Sequence, residues 1–492
     1  MFPFTFSKMR AVDSNCSHLG LIPLQLMENA GAAIAREIMS RIEYGKVVFV
    51  AGRGNNGGDA FVAARHLALD DAYDVRVLLL GHSERIRTDE SKHNFSLLAY
   101  SAIREIKEIA DSTELDNYQG LKDADIIVDG ILGSGIKGAP REPESTAIDL
   151  INSSGKYVIS IDSPSGYDPE GEGTVKSIRA DMTITFHRMK QELGIAGCEI
   201  YTGKVKVVPI GVLRDAEEYV GRGDLMRLAR RKQDAHKGNS GRILVIGGGA
   251  YYGAPALAAM SALRTGADIV TVAVPENVAD TLASYSPDLI VVPLKGDRLS
   301  PGNIDVLEKL IVSHDVVVIG PGIGRDPATI KAVELLLPLC EKAVVDADAL
   351  FDLTLPANGK GKFIVTPHAG EFSRLSGLTV PRTLEEKKKV VRDFSGDKKV
   401  TTILKGSIDV ISDGQNTLLN STGNAGMSVG GTGDVLAGVT GALFAVNAAI
   451  DAASCAVFIN GAAGDLAFKE KGFGLLATDI IDRITDVISK VF

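Results

Sequence analysis

Apolar runs alternate with helical patterns along the chain, and the alternation comes in two successive series. The first series has six strand-like runs, at 46–52, 75–81, 124–130, 157–162, 183–186 and 205–211. After a charged stretch without such a run, a second series has seven, at 242–249, 269–275, 289–294, 316–324, 343–350, 362–367 and 401–412. Apolar strands between helices are typical of parallel sheets covered on both faces. The pattern predicts two tandem three-layer α/β domains, over 1–215 and 222–492.

Size, charge and cysteine spacing narrow the class of protein. The 492 residues are too many for one ordinary core, and a net charge of -9 argues against nonspecific binding to nucleic acid or anionic membranes. Four cysteines lie far apart without zinc-like spacing, and the N-terminus lacks the apolar core of a signal peptide. The apolar tract 435–450 is too short to span a bilayer and is typical of a buried helix. We expect a cytoplasmic protein that binds neither nucleic acid nor membrane.

The sequence SVGGTGDVLAG, 428–438, places one carboxylate among glycines at the start of a helical run of small residues. Glycines let backbone N–H groups approach a phosphate closely, and a helix N-terminus favours anions. Asp434 could take a proton from a hydroxyl beside a transferring phosphoryl group. It could equally cap the helix, where Asp is common. This stretch alone leaves both interpretations open.

Further motifs in the second half follow strand-like runs, and they occur in a fixed order: GPGIG (320–324), DADAL (346–350), TPHAGEF (366–372), LKGSIDVI (404–411) and NAGMSVGGTGD (424–434). Together they resemble the ribokinase-like superfamily. They are more closely similar to the ADP-dependent NAD(P)H-hydrate dehydratase family, whose pattern also includes GAPALAA (253–259). The resemblance covers about 225–490. It departs at Phe351, where many relatives have Asn, and at Ala369, where Pro is usual.

This resemblance implies a ribokinase-like fold and a set of site residues. Nucleotide contacts would come from Lys405, Gly406, Ser407, Ile408 and Asp409. A phosphate cradle would be formed by Asn424, Ala425, Gly426, Met427, Ser428, Val429, Gly430, Gly431, Thr432 and Gly433. The hydrated nicotinamide would contact Ala254, Gly324, His368 and Asp434, with Asp434 as the catalytic base. Plainer interpretations stay open: Lys405 as a surface lysine, His368 as a turn cap, and Asp346 and Asp348 as magnesium ligands or as acceptors for backbone N–H groups.

A second group of motifs lies in the first half, led by GRGNNGGDAFVAAR (52–65) between a strand-like run and a helical pattern. It matches neither the dinucleotide-binding register nor a Walker motif, and alone it would indicate a tight turn with an Asp cap. With MENAG (27–31), VDGILGSGIKG (128–138) and IDSPSG (161–166), it resembles the NAD(P)H-hydrate epimerase family, the YjeF N-terminal domain. The resemblance covers about 8–212 and implies a Rossmann-like fold. It departs at Ser163, where apolar residues are usual.

The epimerase resemblance implies a substrate site, a potassium site and an acid/base residue. Substrate contacts would be Asn55, Asn56, Gly57, Gly58, Asp59, Gly133, Ser134, Gly135, Ile136, Lys137, Gly138, Ala139 and Asp162. Asn56, Asp129 and Ser165 would hold the potassium ion through oxygen. Asp162, at the end of an apolar strand, would be the acid/base group at the reacting ring. Its plainer role would be to form a turn before Pro164.

Together the two resemblances imply repair of hydrated NADH and NADPH (NADHX and NADPHX). An epimerase would interconvert the R and S hydrates, and a dehydratase would return the S hydrate to NAD(P)H, with ADP as phosphoryl donor and AMP and phosphate as products. We expect K⁺ in the first domain, Mg²⁺ with the nucleotide in the second, and assembly into a homo-oligomer. Two rivals stay open: a ribokinase-type kinase of a small hydroxylated metabolite with a regulatory first domain, and a non-enzymatic scaffold.

Overall fold

The computed structural model describes residues 3–116, 118–134, 138–168, 176–229, 236, 238, 240–351, 353 and 362–489. The chain divides into two compact units, Met1–Arg214 and Asp215–Phe492. Each unit is described by itself below. In the described part of the chain, no helix has both the length and the apolar character needed to cross a membrane.

The first unit is built on a parallel sheet with the strand order β3-β2-β1-β4-β5-β6-β7. Its strands are β1 (Gly45–Ala51), β2 (Tyr73–Leu80), β3 (Glu105–Ile109), β4 (Ile126–Gly130), β5 (Tyr157–Ile161), β6 (Met182–Phe186) and β7 (Lys204–Val208). Its helices are α1 (Phe6–His18), α2 (Pro23–Met39), α3 (Asn55–Leu67), α4 (Asp89–Leu97), α5 (Thr113–Asp116), α6 (Gly120–Asp123), α7 (Glu144–Ser153) and α8 (Glu199–Thr202).

Six of these strands coincide with the apolar runs of the first series. The pattern misses β3, EIKEI, because its charged residues alternate with apolar ones on an edge strand that is only partly buried. The central strands are buried throughout, as Val48, Val50 and Ile127 in the core illustrate. The chain leaves β1 toward β2 and β3 and returns to pair β4 with β1, so the order reverses between β1 and β4. Open parallel sheets bind ligands at such a switch point.

The second unit contains a nine-stranded sheet in the order β10-β9-β8-β11-β12-β13-β14-β15-β16, parallel except for the last two pairings. Its strands are β8 (Arg242–Ile246), β9 (Ile269–Pro275), β10 (Ile290–Leu294), β11 (Val316–Ile319), β12 (Lys342–Val345), β13 (Lys362–Val365), β14 (Thr401–Leu404), β15 (Asp409–Ser412) and β16 (Thr417–Asn420). Its helices are α9 (Arg214–Glu218, which starts at the unit boundary), α10 (Gly253–Thr265), α11 (Glu276–Ala283), α12 (Ile304–Val312), α13 (Pro327–Leu336), α14 (Ala369–Ser376), α15 (Leu384–Lys398), α16 (Thr432–Val446), α17 (Ala449–Lys471) and α18 (Ala477–Ile488).

The run at 401–412 is two strands, since a turn at 405–408 folds β15 back against β14. Buried side chains of α10, α16, α17 and α18 pack in one core cluster, whereas those of α12, α13 and α15 pack in another. Helix α16 lies almost against the backbone of α10, because a Cβ at Gly438 would come within 1.9 Å of the Ala258 carbonyl oxygen. The prediction of two tandem α/β domains with parallel-rich sheets is confirmed.

Candidate functional sites

The first unit gathers its glycine-rich loops at the switch point between β1 and β4. A Cβ at Gly52 would lie 1.8 Å from the carbonyl oxygen of Ile131, so the loop after β1 contacts the loop after β4 through its backbone. A Cβ at Gly57 would lie 1.9 Å from the Gly52 carbonyl oxygen, so glycine is required at both positions. Helix α3 begins at Asn55 without a side-chain cap. Its first N–H groups therefore suit an anion.

Asp59 does not cap this helix, since it is the fifth residue of α3. Gly133, an expected substrate residue, lies near Asn56: a Cβ built on Gly133 would be 3.8 Å from the Asn56 Cβ. Ser134 is partly buried, and Gly138 and Ala139 are exposed. Gly135, Ile136 and Lys137 lie outside the described residues.

The three residues expected to hold potassium meet around the backbone of Leu132. Asn56 donates from Nδ2 to the Leu132 carbonyl oxygen at 3.0 Å, and the Ser165 hydroxyl accepts from the Leu132 N–H at 2.8 Å. Asp129 is fully buried and accepts from the Ser165 hydroxyl, the Ser165 N–H and the Ser160 hydroxyl. Burial raises the pKa of Asp129, although these donors oppose the rise. All the groups are oxygen-bearing, the kind of donor that a hard cation prefers.

Asp162 follows β5 in the left-handed region, at φ 59°. Its Oδ1 accepts hydrogen bonds from the Thr185 hydroxyl at 2.9 Å and from Lys190 Nζ at 3.1 Å. Lys190 is fully buried and also donates to Thr185 and to the Phe186 carbonyl oxygen. The Asp162 carboxylate is thus tied to β6 and its following loop, and among the described residues it bonds to no backbone N–H of its own turn. The side chain of Asp162 therefore does not form the turn before Pro164.

Two further carboxyl groups lie near Asp162. Burial raises the pKa of Asp13, on α1, to about 7, with Asp162 adding to the rise and Lys190 opposing it. Burial, followed by the charges of Asp162 and Asp13, raises the pKa of Asp59 well above its ordinary value. Sequence reasoning missed Asp13 and Lys190, because each looks like an ordinary charge within a polar stretch. The structure joins three acids and one buried cation in one cluster.

In the second unit, the switch point lies between β8 and β11, and the loops after these strands are bonded to each other. Gly248 N–H donates to the Pro321 carbonyl oxygen at 2.9 Å, and Tyr251 N–H donates to that of Gly322 at 3.2 Å. A Cβ at Gly322 would lie 3.3 Å from the Cβ of Ala254. The expected substrate residues Ala254 and Gly324 therefore lie on two segments that contact each other, although they are seventy positions apart.

Asp434 is the third residue of α16, and the residue preceding that helix is Gly431, at φ 96° and without a side-chain cap. Asp434 is therefore not the helix N-cap. Among the described residues, none donates a hydrogen bond to its carboxylate. Burial raises the pKa of Asp434 to about 7, with Asp346 and Asp348 adding to the rise and Lys405 opposing it. A carboxyl group that titrates near neutrality is suited to accept a proton from substrate.

Lys405 is not a free surface lysine. Its Nζ donates to Asp346 Oδ1 at 2.9 Å and lies 4.0 Å from Glu371 Oε2. Burial lowers the pKa of Lys405, but the carboxylates of Asp346, Glu371 and Asp434 outweigh burial and raise it. Asp346 is almost fully buried and also accepts from the Thr366 hydroxyl at 2.6 Å.

Asp348 accepts from the Gly324 N–H at 3.2 Å and from Arg325 Nε at 2.8 Å. Asp346 is already paired with Lys405. Both acids of the DADAL segment therefore hold protein groups in place. Next to Asp348, the unusual Phe351 has the guanidinium of Arg325 4.9 Å from its ring centroid and that of Arg374 5.8 Å from it.

His368 caps α14, the plainer of its two expected roles. Its Nδ1 accepts from the N–H groups of Gly370 at 3.0 Å and Glu371 at 3.2 Å, while Glu371 accepts from the His368 N–H at 2.8 Å. This reciprocal pair places the ring proton on Nε2. The imidazole is half-exposed, and its Nε2 lies 3.4 Å from Glu371 Oε1.

A cavity of about 600 Å³ lies beside Lys405. Ten expected nucleotide-site residues line it, namely Lys405, Gly406, Ser407, Asp409, Asn424, Ala425, Met427, Ser428, Thr432 and Gly433. The other expected residues, Ile408, Gly426, Val429, Gly430 and Gly431, are not among its lining residues. Ile408 packs on the core, and a Cβ at Gly426 would lie 2.6 Å from the Phe468 ring, so these two serve packing.

Sequence reasoning missed six residues that line the cavity. They are Thr422, Gly423, Leu436, Val457, Asn460 and Gly461. Three of them come from α17, which starts well beyond the NAGMSVGGTGD motif at 424–434. No local signal in the sequence marks these residues, since the packing of α17 decides which of its side chains face the cavity.

Comparisons with known proteins agree with this two-site arrangement. The family model "YjeF-related protein N-terminus" matches residues 23–192, and "NAD(P)H-hydrate dehydratase" matches residues 243–486. The bifunctional NAD(P)H-hydrate repair enzyme Nnr of Archaeoglobus fulgidus is 43% identical over 98% of this chain and 97% of its own length. The chain belongs to the bifunctional NAD(P)H-hydrate repair enzymes. Both resemblances inferred from the sequence motifs are thereby confirmed.

A second member of this repair-enzyme family and a solved structure give the same result. The enzyme of Methanothermobacter thermautotrophicus is 42% identical over 98% of this chain and 95% of its own length. The ADP/ATP-dependent NAD(P)H-hydrate dehydratase of Bacillus subtilis, co-crystallised with ATP/Mg²⁺, is 25% identical with a TM-score of 0.50. The match covers 56% of this chain and 99% of the Bacillus subtilis chain, and it confirms the ribokinase-like fold of the second unit.

Proposed function

We propose that the chain repairs hydrated NADH and NADPH, with an epimerase domain over 1–215 and a dehydratase domain over 222–492. The observation that carries this proposal is the position of Asp434 at the start of a buried helix, whose first residues line the cavity beside Lys405. Asp434 has a pKa of about 7 and does not cap that helix. A scaffold needs no such residue, and membership of the repair-enzyme family disfavours a metabolite kinase. All four cysteines are unpaired and buried, which supports a reducing, cytoplasmic setting. Assembly into a homo-oligomer stays a prediction.

In the dehydratase domain, Asp434 takes the proton of the C6 hydroxyl of the S hydrate, and the hydroxyl oxygen attacks the β-phosphorus of ADP. The bond from that phosphorus to AMP breaks, while Lys405 and the N-terminus of α16 stabilise the negative charge. The ring nitrogen's lone pair then expels the C6 oxygen as phosphate, and loss of a proton from C5 restores NAD(P)H. Asp346 and Asp348 are engaged by protein groups. We therefore place Mg²⁺ with the nucleotide phosphates, as part of that substrate.

In the epimerase domain, Asp162 is the acid/base group at the hydrated ring, and Lys190 fixes its orientation. The loop from Asn55 to Asp59 and the segment from Gly133 to Ala139 hold the substrate. Asn56, Asp129 and Ser165 each carry an oxygen of the kind that a potassium ion takes as a ligand, and together they bring a single carboxylate charge. Asn56 and Ser165 both contact the backbone of Leu132, and Ser165 contacts Asp129, so the three residues are neighbours. Potassium would supply a fixed positive charge beside the loops of the substrate site.

The proposed function is tested by following absorbance at 340 nm with purified S hydrate and ADP, ATP or no nucleotide. We expect NADH to reappear only with nucleotide and Mg²⁺, and AMP and phosphate to be released with ADP. The R hydrate should be recovered in the same assay through epimerisation. A stable phosphorylated metabolite, with no rise at 340 nm, would instead support the kinase.

Lys405→Met should lower kcat/KM for ADP-dependent dehydration roughly 10- to 100-fold, because a charged hydrogen-bond donor is lost from the nucleotide cavity. Initial rates at varied ADP measure this. Lys331→Met is the matched control, since Lys331 is exposed and pairs only with Glu334 among the described residues. Epimerisation should be unchanged in both variants. An unaltered KM and kcat for ADP in Lys405→Met would remove Lys405 from the nucleotide site.

Lys190→Met should lower kcat for epimerisation about 10-fold with little change in KM, because Asp162 loses one of the two donors that orient its carboxylate. The rate is measured per folded enzyme by chromatographic separation of R and S hydrates. Lys206→Met, which removes a surface ion pair with Glu37, is the control. If Lys190 only supports folding, the yield of folded enzyme falls and kcat per folded site stays constant.

A further inference from the structure

Asn460 is a buried polar side chain in the wall of the nucleotide cavity. It lies on α17, exposes 7% of its surface and lines the cavity beside Lys405. Its Oδ1 is fully buried and accepts no hydrogen bond from the described residues. A buried carbonyl oxygen without a donor is costly, and native proteins rarely keep one without a partner. The amide is therefore placed for a group that the protein itself does not supply.

Neighbouring polar side chains of the same wall are already paired within the protein. The Thr422 hydroxyl donates to Asn420 Oδ1 at 2.8 Å, and Asn424 donates from Nδ2 to Asp465 Oδ1 at 2.8 Å. Asn424 Oδ1 accepts a backbone N–H in turn. These bonds fix the loop after β16, whereas Asn460 holds no part of it. Among the described residues, no group donates a hydrogen bond to Asn460 Oδ1, so no contact of this oxygen indicates a purely structural role.

The surroundings of Asn460 suit a flat base better than a phosphate. On α17, Val457 lies about one turn before Asn460 and Gly461 directly follows it. Both residues line the cavity, as does the apolar Leu436 of α16. The cation of Lys405 and the first residues of α16 line the same cavity and suit the phosphates. A side-chain amide offers one acceptor and one donor side by side, the pair that matches an amino group next to a ring nitrogen.

We propose that Asn460 recognises the nucleobase of the phosphoryl donor, accepting a hydrogen bond from the exocyclic amino group of adenine and donating one to the adjacent ring nitrogen. This assignment rests on the proposed function, which makes the cavity the nucleotide site. Asn460 would then distinguish a purine base that carries an amino group from one that does not.

The test pairs one ligand group with one side chain. ADP and purine riboside 5′-diphosphate, which lacks only the amino group, are compared with wild-type protein and with Asn460→Leu, by calorimetric binding and by dehydration of the S hydrate. Wild type should prefer ADP about tenfold, and Asn460→Leu should remove most of that preference, because the donor and its acceptor act as one pair. Ser454→Ala, on the same helix but outside the cavity lining, should keep the wild-type preference.

The outcomes separate this inference from the proposed function. An undiminished preference for ADP in Asn460→Leu overturns the role of Asn460, even if ADP-dependent dehydration is intact. Equal weakening of both nucleotides with a lowered unfolding temperature also overturns it, since that result indicates a structural role. Loss of preference in the binding measurement, without any dehydration by wild type, upholds Asn460 as the base-recognising residue and rejects the proposed reaction.

Discussion

Asp434→Asn should abolish the ADP-dependent recovery of NADH from its S hydrate, with kcat lower by roughly 10²- to 10⁴-fold. The substitution keeps the shape of the side chain but cannot take the proton from the C6 hydroxyl. ADP binding should change little, because the amide retains the position of the carboxylate beside the cradle. The measurement is the rate of absorbance increase at 340 nm at saturating ADP and Mg²⁺, together with calorimetric ADP binding.

The pH dependence gives an independent readout of the same residue. As a base, Asp434 acts when ionised, so wild-type dehydration should rise with pH through about 7 and be lost as the pH falls below it. A profile flat between pH 5.5 and 8 would contradict the assignment of Asp434 as the base.

Folding stability should respond in the opposite direction from activity. Because the folded-state pKa of about 7 lies above the ordinary value of 3.8, the folded protein holds this proton more tightly than the unfolded chain does. Ionisation of Asp434 therefore costs stability progressively from about pH 4 and fully above pH 7. Asp434→Asn should unfold at a higher temperature than wild type at pH 8, with a smaller difference at pH 5. An inactive variant that is more stable cannot be explained by misfolding.

Most of the architecture could be predicted because each central strand is apolar on both faces. Runs such as 46–52 and 124–130 lie between helices and must be covered on two sides, which restricts the fold to layered α/β. The elements that could not be predicted are partly exposed or short. Strand β3 alternates Glu and Lys with Ile, the pattern merged the short strands β14 and β15 into one run, and β16 lies in none of the predicted runs.

The site was predictable where a motif is local, and unpredictable where partners come from distant segments. Glycine spacing located Asp434 and the loop at 52–59, since close backbone approach requires glycine there. Nothing local indicates that Lys190 is buried against Asp162, or that Asn460 faces the same cavity as Lys405. Those pairings depend on how the strands and helices pack. Asp434 has the sequence context of an N-cap but lies inside α16, whereas His368 is the residue that caps α14. Composition alone therefore does not identify the residue at which a helix begins.

Asp162→Asn should abolish epimerisation, lowering its kcat by roughly 10²- to 10⁴-fold, while leaving dehydration of the S hydrate unchanged. Asn is chosen over Ala because position 162 has φ 59°, a conformation that Asn tolerates well. The amide oxygen still accepts from Thr185 and Lys190, so orientation is retained and only proton transfer is lost. Chromatographic conversion of pure R hydrate to S hydrate, without nucleotide, measures the step above its spontaneous background.

Asp434→Asn and Asp162→Asn serve as controls for each other. With R hydrate, ADP and Mg²⁺, wild type should recover NADH, Asp162→Asn should recover it only at the spontaneous rate of epimerisation, and Asp434→Asn should accumulate S hydrate. A mixture of the two variants should restore recovery if the S hydrate is released into solution between the two steps. Unchanged epimerisation by Asp162→Asn would remove Asp162 from the acid/base role and turn attention to Asp13, the neighbouring carboxyl with a pKa of about 7.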